Sequence, residues 1–218
     1  MTHALLLAAM VVIRTYNYAQ VPAEDLTHAR ETVNRTFGRA GISLRWVDCW
    51  VPSSIVHRPS TSLGATLSSS SFDELRTKGR PSSSDAAACA EPLREGTEFV
   101  LRLMASPARS SGARHVALGS SLVDRGAASG ALITADPDLV ASIAQSANAD
   151  FATLLGRSLA HEVGHLLLGQ TRHSRSGLMR AVWSQDELRG IRPANWGFSR
   201  AEAAQMRQGL ATRSRSAN

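Results

Sequence analysis

At 218 residues, with 43% apolar and 19% charged side chains, the chain is long enough and apolar enough to bury a full core, which excludes a disordered polar tract. Its net charge of +6 comes almost wholly from arginines dispersed along the sequence, Lys78 being the only lysine, and aromatics make up 5%. With no basic run and no interleaved aromatics, a nucleic-acid partner is not expected, and no apolar stretch is long enough to span a membrane.

Ala4 to Ala9 is apolar with small residues after it, yet no Lys or Arg precedes it, as the charged start of a signal peptide requires. It reads either as a shortened leader or as the approach to a first strand. Val11 to Tyr18 is rich in β-branched and aromatic residues and predicts that strand, and Val21-Pro22 ends it and opens a helix. From Ala23 to Ala40, Leu26, Ala29, Val33 and Phe37 share one face, and Gly41 follows as a stop. Ile42, Leu44 and Trp46 then alternate with Ser43, Arg45 and Val47, so a second strand completes a βαβ-like opening.

Cys49 and Cys89 bracket a stretch rich in Ser, Pro and Gly, Pro52 to Ala88, which has little periodicity and reads as a long surface insertion. In an exported chain the two cysteines would form a disulfide that ties this stretch down; in a cytosolic one they would be small buried hydrophobes. The strand-like runs flanking them favour the bridge. Thr97 to Met104, His115 to Leu118 and Ala131 to Ala135 are further strand candidates, giving a sheet of about five strands.

Asp136-Pro137 has the pattern of an N-cap followed by proline at the first helical position, opening a helix to about Ala147. Another helix starts near Asp150 and runs through Leu154, Leu155 and Leu159 to Leu168, where Gly169 supplies a terminator. Ser199-Arg200-Ala201-Glu202 matches a capping box for a last helix reaching about Leu210. The expected fold is a single α/β (α+β) domain: a small mixed sheet, a backing helix, a helix carrying the chemistry and a C-terminal helix.

That chemistry lies in His161-Glu162-Val163-Gly164-His165. Residues four apart share a helix face, so His161 and His165 can present two imidazoles to one ion at about 2.0–2.1 Å, the distance zinc requires. Glu162 sits one position round, badly placed as a ligand but able to act as general base on a metal-bound water, whose pKa zinc lowers towards about 7. His173 lies beyond Gly169, and a turn at that glycine lets the chain, at roughly 3.3 Å per residue, bring it back as third ligand. Arg180 and His115 are candidates for a second oxyanion donor. His3, His28 and His57, like His115, have no partner at ligand spacing.

The segment HEVGHLLLGQTRHSRSGLM resembles the active-site region of zincin metallopeptidases, and within them the metzincin-like branch. The resemblance implies a zincin-like fold in which His161, His165 and His173 bind zinc, Glu162 is catalytic, Gly169 turns the chain and Met179 lies in a turn beneath the metal. Gly169 comes one residue later than in the usual metzincin pattern and His173 two residues later. More closely, the chain resembles bacterial exported proteins with a Tyr-Asn-Tyr strand, a Trp-x-Asp-Cys segment and HExxHLLLG followed by HS and GLM or GIM. Here these are Tyr16-Asn17-Tyr18, Trp46-Val47-Asp48-Cys49 and His161 to Met179.

The resemblance further implies a periplasmic or extracellular protein that hydrolyses peptide or protein substrates, with Gly130 to Ala135 as an edge strand where an extended peptide adds by β-pairing. Many metzincins use a tyrosine near the Met-containing turn, whereas both tyrosines here lie near the N-terminus. A zinc-containing protein that binds peptides without cleaving them is the alternative.

Overall fold

The structure is a computed structural model that describes residues 10–51, 83–105, 118–124, 129–190 and 195–216. Strand β1 (Met10–Asn17), helix α1 (Ala23–Arg39) and strand β2 (Ser43–Cys49) form the opening unit, and β1 and β2 pair in parallel as the alternating pattern predicts. A short helix α2 (Ser83–Ala90) precedes β3 (Glu98–Leu103), β4 (Gly119–Asp124) and β5 (Ser129–Ala135). Four helices close the chain: α3 (Pro137–Ala147), α4 (Phe151–Leu168), the single turn α5 (Gln185–Leu188) and α6 (Arg200–Ser216). The architecture is therefore the expected α/β one, with a five-stranded mixed sheet among the described residues.

The strand order is β2-β1-β3-β5-β4, parallel throughout except for β4, which runs antiparallel to β5 with an irregularity between Leu122 and Val123. Alternate residues of the inner strands, Val11, Ile13, Phe99, Leu101, Leu103 and Ile133, are all essentially buried. Against them pack the apolar stripe of α1 and, from α4, Leu154, Leu155, Leu159 and Leu166, so the core lies between the sheet and these two helices. The ends of α4 follow local chemistry. The Asp150 carboxylate accepts from the Thr153 N–H at 2.7 Å, and Gly169 closes the helix at φ 64°, a left-handed conformation that a side chain would disfavour.

Three sequence expectations change. Gly130 to Ala135 is not the edge strand, because β5 pairs on one side with β3 and on the other with β4; the edge is β4. The last part of the supposed insertion is helical, α2, and Cys89 in it is bridged to Cys49 with their Cα atoms 5.7 Å apart, so the disulfide reading holds. The last helix continues past Leu210 to Ser216, where Arg213 reaches back to donate to the Gly96 carbonyl at 3.1 Å. Residues 52–82 and the strand candidate at 115–117 lie outside the described residues, as do residues 1–9. No helix among the described residues is long and apolar enough to cross a membrane.

Candidate metal centre

Helix α4 is buried along nearly its whole length, so its polar side chains occupy an environment where each needs a partner. His161 and His165 point the same way, their ring centroids 4.7 Å apart. The His161 Nδ1–H donates to the Leu178 carbonyl at 2.9 Å and the His165 Nδ1–H to the Gln170 carbonyl at 2.8 Å. A carbonyl only accepts, so these bonds place a proton on each Nδ1 and leave each Nε2 with a lone pair. The two Nε2 atoms then face one another at 3.0 Å, an opposition of lone pairs that a shared cation relieves.

His173 joins them. The chain turns at Gly169, and the His173 ring lies 5.2 Å from that of His161 and 4.9 Å from that of His165. One nitrogen from each of the three rings falls within 4.8 Å of the others. Three imidazoles around one point, two of them oriented through their second nitrogens by backbone carbonyls, are a donor set that fits zinc. The longer spacer after His165 therefore does not carry His173 away from the site.

Burial holds the His161 imidazole down at about 4; the neighbouring His165 and His173 push the same way, while the Leu178 hydrogen bond and the Glu202 carboxylate oppose. His165 is lowered for the same leading reason, burial. Burial thus favours the neutral form of both imidazoles, the form that binds a metal. Burial likewise pushes the Glu162 carboxyl up to about 7, opposed by a hydrogen bond from Ser121. Glu162 lies beneath β4, where a Cβ on Gly119 would come within 3.0 Å of its Cγ; the absence of a side chain there is what lets helix and edge strand close on the carboxyl.

Met179 is fully buried beneath the same helix: a Cβ on Gly164 would lie 2.7 Å from its sulfur and 2.9 Å from Phe198 Cε1. The turn carrying Leu178 and Met179 is held by the Ser174 N–H on the Met179 carbonyl at 2.7 Å and the Leu178 N–H on the Gly197 carbonyl at 2.9 Å. Trp183 completes the wall, edge-on to His161 at 5.8 Å, with its indole N–H 3.3 Å from the Leu178 carbonyl that also orients His161. Trp183, Ser121 and the two orienting carbonyls carry no signal in the sequence. Arg180 is not free as an oxyanion donor: it donates to the Gly177 carbonyl at 3.1 Å and pairs with Glu187 at 2.7 Å. His115 lies outside the described residues. Tyr16 and Tyr18 stack on each other at the end of β1.

A buried helix bearing two histidines and a glutamate under an antiparallel edge strand, a glycine turn, a third histidine and a methionine turn below make this a metzincin-like zincin fold. Two solved structures are similar to the chain. Archaemetzincin from Methanopyrus kandleri superposes with a TM-score of 0.50 at 15% identity, covering 95% of this chain and 99% of its own. A zinc-dependent peptidase from Methanocorpusculum labreanum gives 0.49 at 15% identity, covering 89% and 99%. No protein-family model and no curated protein matches the sequence.

Proposed function

We propose that the chain is a zinc metallopeptidase with a single catalytic domain, in which His161, His165 and His173 hold the metal and Glu162 moves the protons of peptide hydrolysis. The observation that carries this reading is the convergence of three imidazole nitrogens within 4.8 Å beside a buried carboxyl that is not one of them. The fold it shares with an archaemetzincin supports it.

Zinc held by His161, His165 and His173 would supply Lewis acidity, to polarise a carbonyl and to acidify a water. Glu162, buried next to the ligand His161, is the proton carrier: as carboxylate it takes a proton from the attacking water, and as acid it returns one to the leaving amine. Ser121 orients the carboxyl, and the closeness of Gly119 puts the edge strand directly over it. Among the described residues no strand covers the outer side of β4, so an extended peptide can pair there with its backbone above Glu162. Export fits the Cys49–Cys89 disulfide, since such bridges persist in oxidising compartments.

The test is cleavage of a diverse peptide library by the zinc-loaded protein and by its Glu162→Gln variant. Cleavage by the native chain, lost in the variant, is the expected result. Turnover undiminished in the variant removes Glu162 from the mechanism, and zinc binding without any cleavage favours the peptide-binding alternative.

A further inference from the structure

His173 differs from its two partners. His161 and His165 are buried on a helix, whereas His173 is exposed on a loop that lacks regular structure. A ligand on such a loop contributes to metal affinity only if its backbone is held, since ordering it on binding would cost conformational entropy. The next residue, Ser174, shows how it is held. Its N–H donates to the Met179 carbonyl, and its hydroxyl donates to Oε1 of Glu202, in the first turn of α6.

Glu202 is only 7% exposed and faces the site from a helix that begins well after the metal-binding residues. Its second oxygen, Oε2, accepts from the Ser199 N–H at 2.7 Å, while its own N–H approaches the Ser199 hydroxyl at 3.2 Å. The capping box alone needs only one carboxylate oxygen. The other is spent on Ser174, and a buried carboxylate with both oxygens bonded is a rigid anchor.

We propose that Glu202 is a positioning residue for the metal centre, fixing the His173 loop through Ser174 so that the third ligand's contribution to metal affinity depends on the C-terminal helix. This rests on the assignment of His173 as a ligand. The two arms of Glu202 make the role separable from simple stability: the Ser199 arm caps α6, and the Ser174 arm reaches the ligand loop.

The experiment is competition of the intact protein with a chromophoric chelator for zinc, alongside thermal melting of the metal-free chain. Outer-shell partners of metal ligands typically govern affinity by about 10–100-fold. Ser174→Ala is expected to weaken zinc binding about 10-fold, Ser174→Thr to restore it, and Ser199→Ala to lower the melting temperature while leaving affinity unchanged. In a His173→Ala background, Ser174→Ala is expected to have no further effect on affinity. An equal loss of affinity in Ser199→Ala, or a Ser174→Ala loss that persists without His173, would overturn the positioning role. So would native affinity in Ser174→Ala while His173→Ala is weakened, leaving the ligand assignment intact. Native affinity in His173→Ala overturns both.

Discussion

Gly164→Ala is the perturbation on which two opposing effects can be weighed. In an ordinary helix interior the change stabilises by about 1 kcal/mol, because alanine loses less backbone freedom on folding. In α4 the new methyl would lie 2.7 Å from the Met179 sulfur and 2.9 Å from Phe198 Cε1. Neither neighbour yields freely: Met179 is fully buried, and the Phe198 ring packs on Phe37 with centroids 4.9 Å apart. Overpacking costs about 1–3 kcal/mol, and two violated contacts place it at about 2–3, so the net effect is a loss of about 1–2 kcal/mol. That corresponds to a fall in melting temperature of about 2–8 °C. Gly38→Ala in α1 is the control, since a Cβ there meets nothing within 4 Å, and it is expected to raise the melting temperature slightly. Thermal unfolding of the metal-free proteins by circular dichroism decides the matter. Gly164→Ala as stable as Gly38→Ala would refute the close seating of the metal helix on the methionine turn.

Other perturbations reach the chemistry and the frame. Glu162→Gln is expected to keep zinc and lower kcat by at least about 100-fold, read from steady-state cleavage of any peptide the native chain accepts. Burial pushes the Glu162 carboxyl up to about 7 from its ordinary value of 4.5, so at this group the metal-free fold binds more protons than the unfolded chain between those values. Its contribution to stability therefore falls as pH rises from about 4.5 to 7, while the lowered imidazoles of His161 and His165 act in the opposite sense over the lower part of that range; urea titrations should show stability rising more steeply with pH in Glu162→Gln than in the native chain, and identical slopes would contradict it. Cys49 and Cys89 close a loop with a sequence separation of 40, worth about 4 kcal/mol by chain entropy. Replacing both with Ser should lower the urea midpoint accordingly, and an unchanged midpoint would show that the bridge contributes nothing.

What the sequence made legible was local. Asp136 with Pro137, Asp150, Gly169 and the Ser199–Glu202 pair are capping signals whose partners lie within a few residues, and each falls where the structure has a helix end. The two histidines of α4 needed only a helical repeat. Position within the sheet was not legible, because which strand is outermost depends on pairings between distant segments: β5 is apolar enough to be central, while β4, Gly-Ser-Ser-Leu-Val-Asp, is short, half polar and without period-2 alternation, and gave no strong strand signal. In the continuation of α6 to Ser216, Arg213 bonds the Gly96 carbonyl, a partner too distant in sequence to be read locally. The same holds at the site. The carbonyls of Leu178 and Gln170 orient two ligands, yet backbone groups have no sequence signature, and Glu202 was visible as a cap but not as the partner of Ser174.

The most direct test of the central claim is the zinc content of the purified chain after equilibration with buffered zinc and dialysis, with His161→Ala measured beside it. One zinc per native chain and a loss of binding in the variant are the expected results. A native chain that retains no zinc, or a variant that retains as much, would contradict the assignment of this three-histidine cluster as the metal centre.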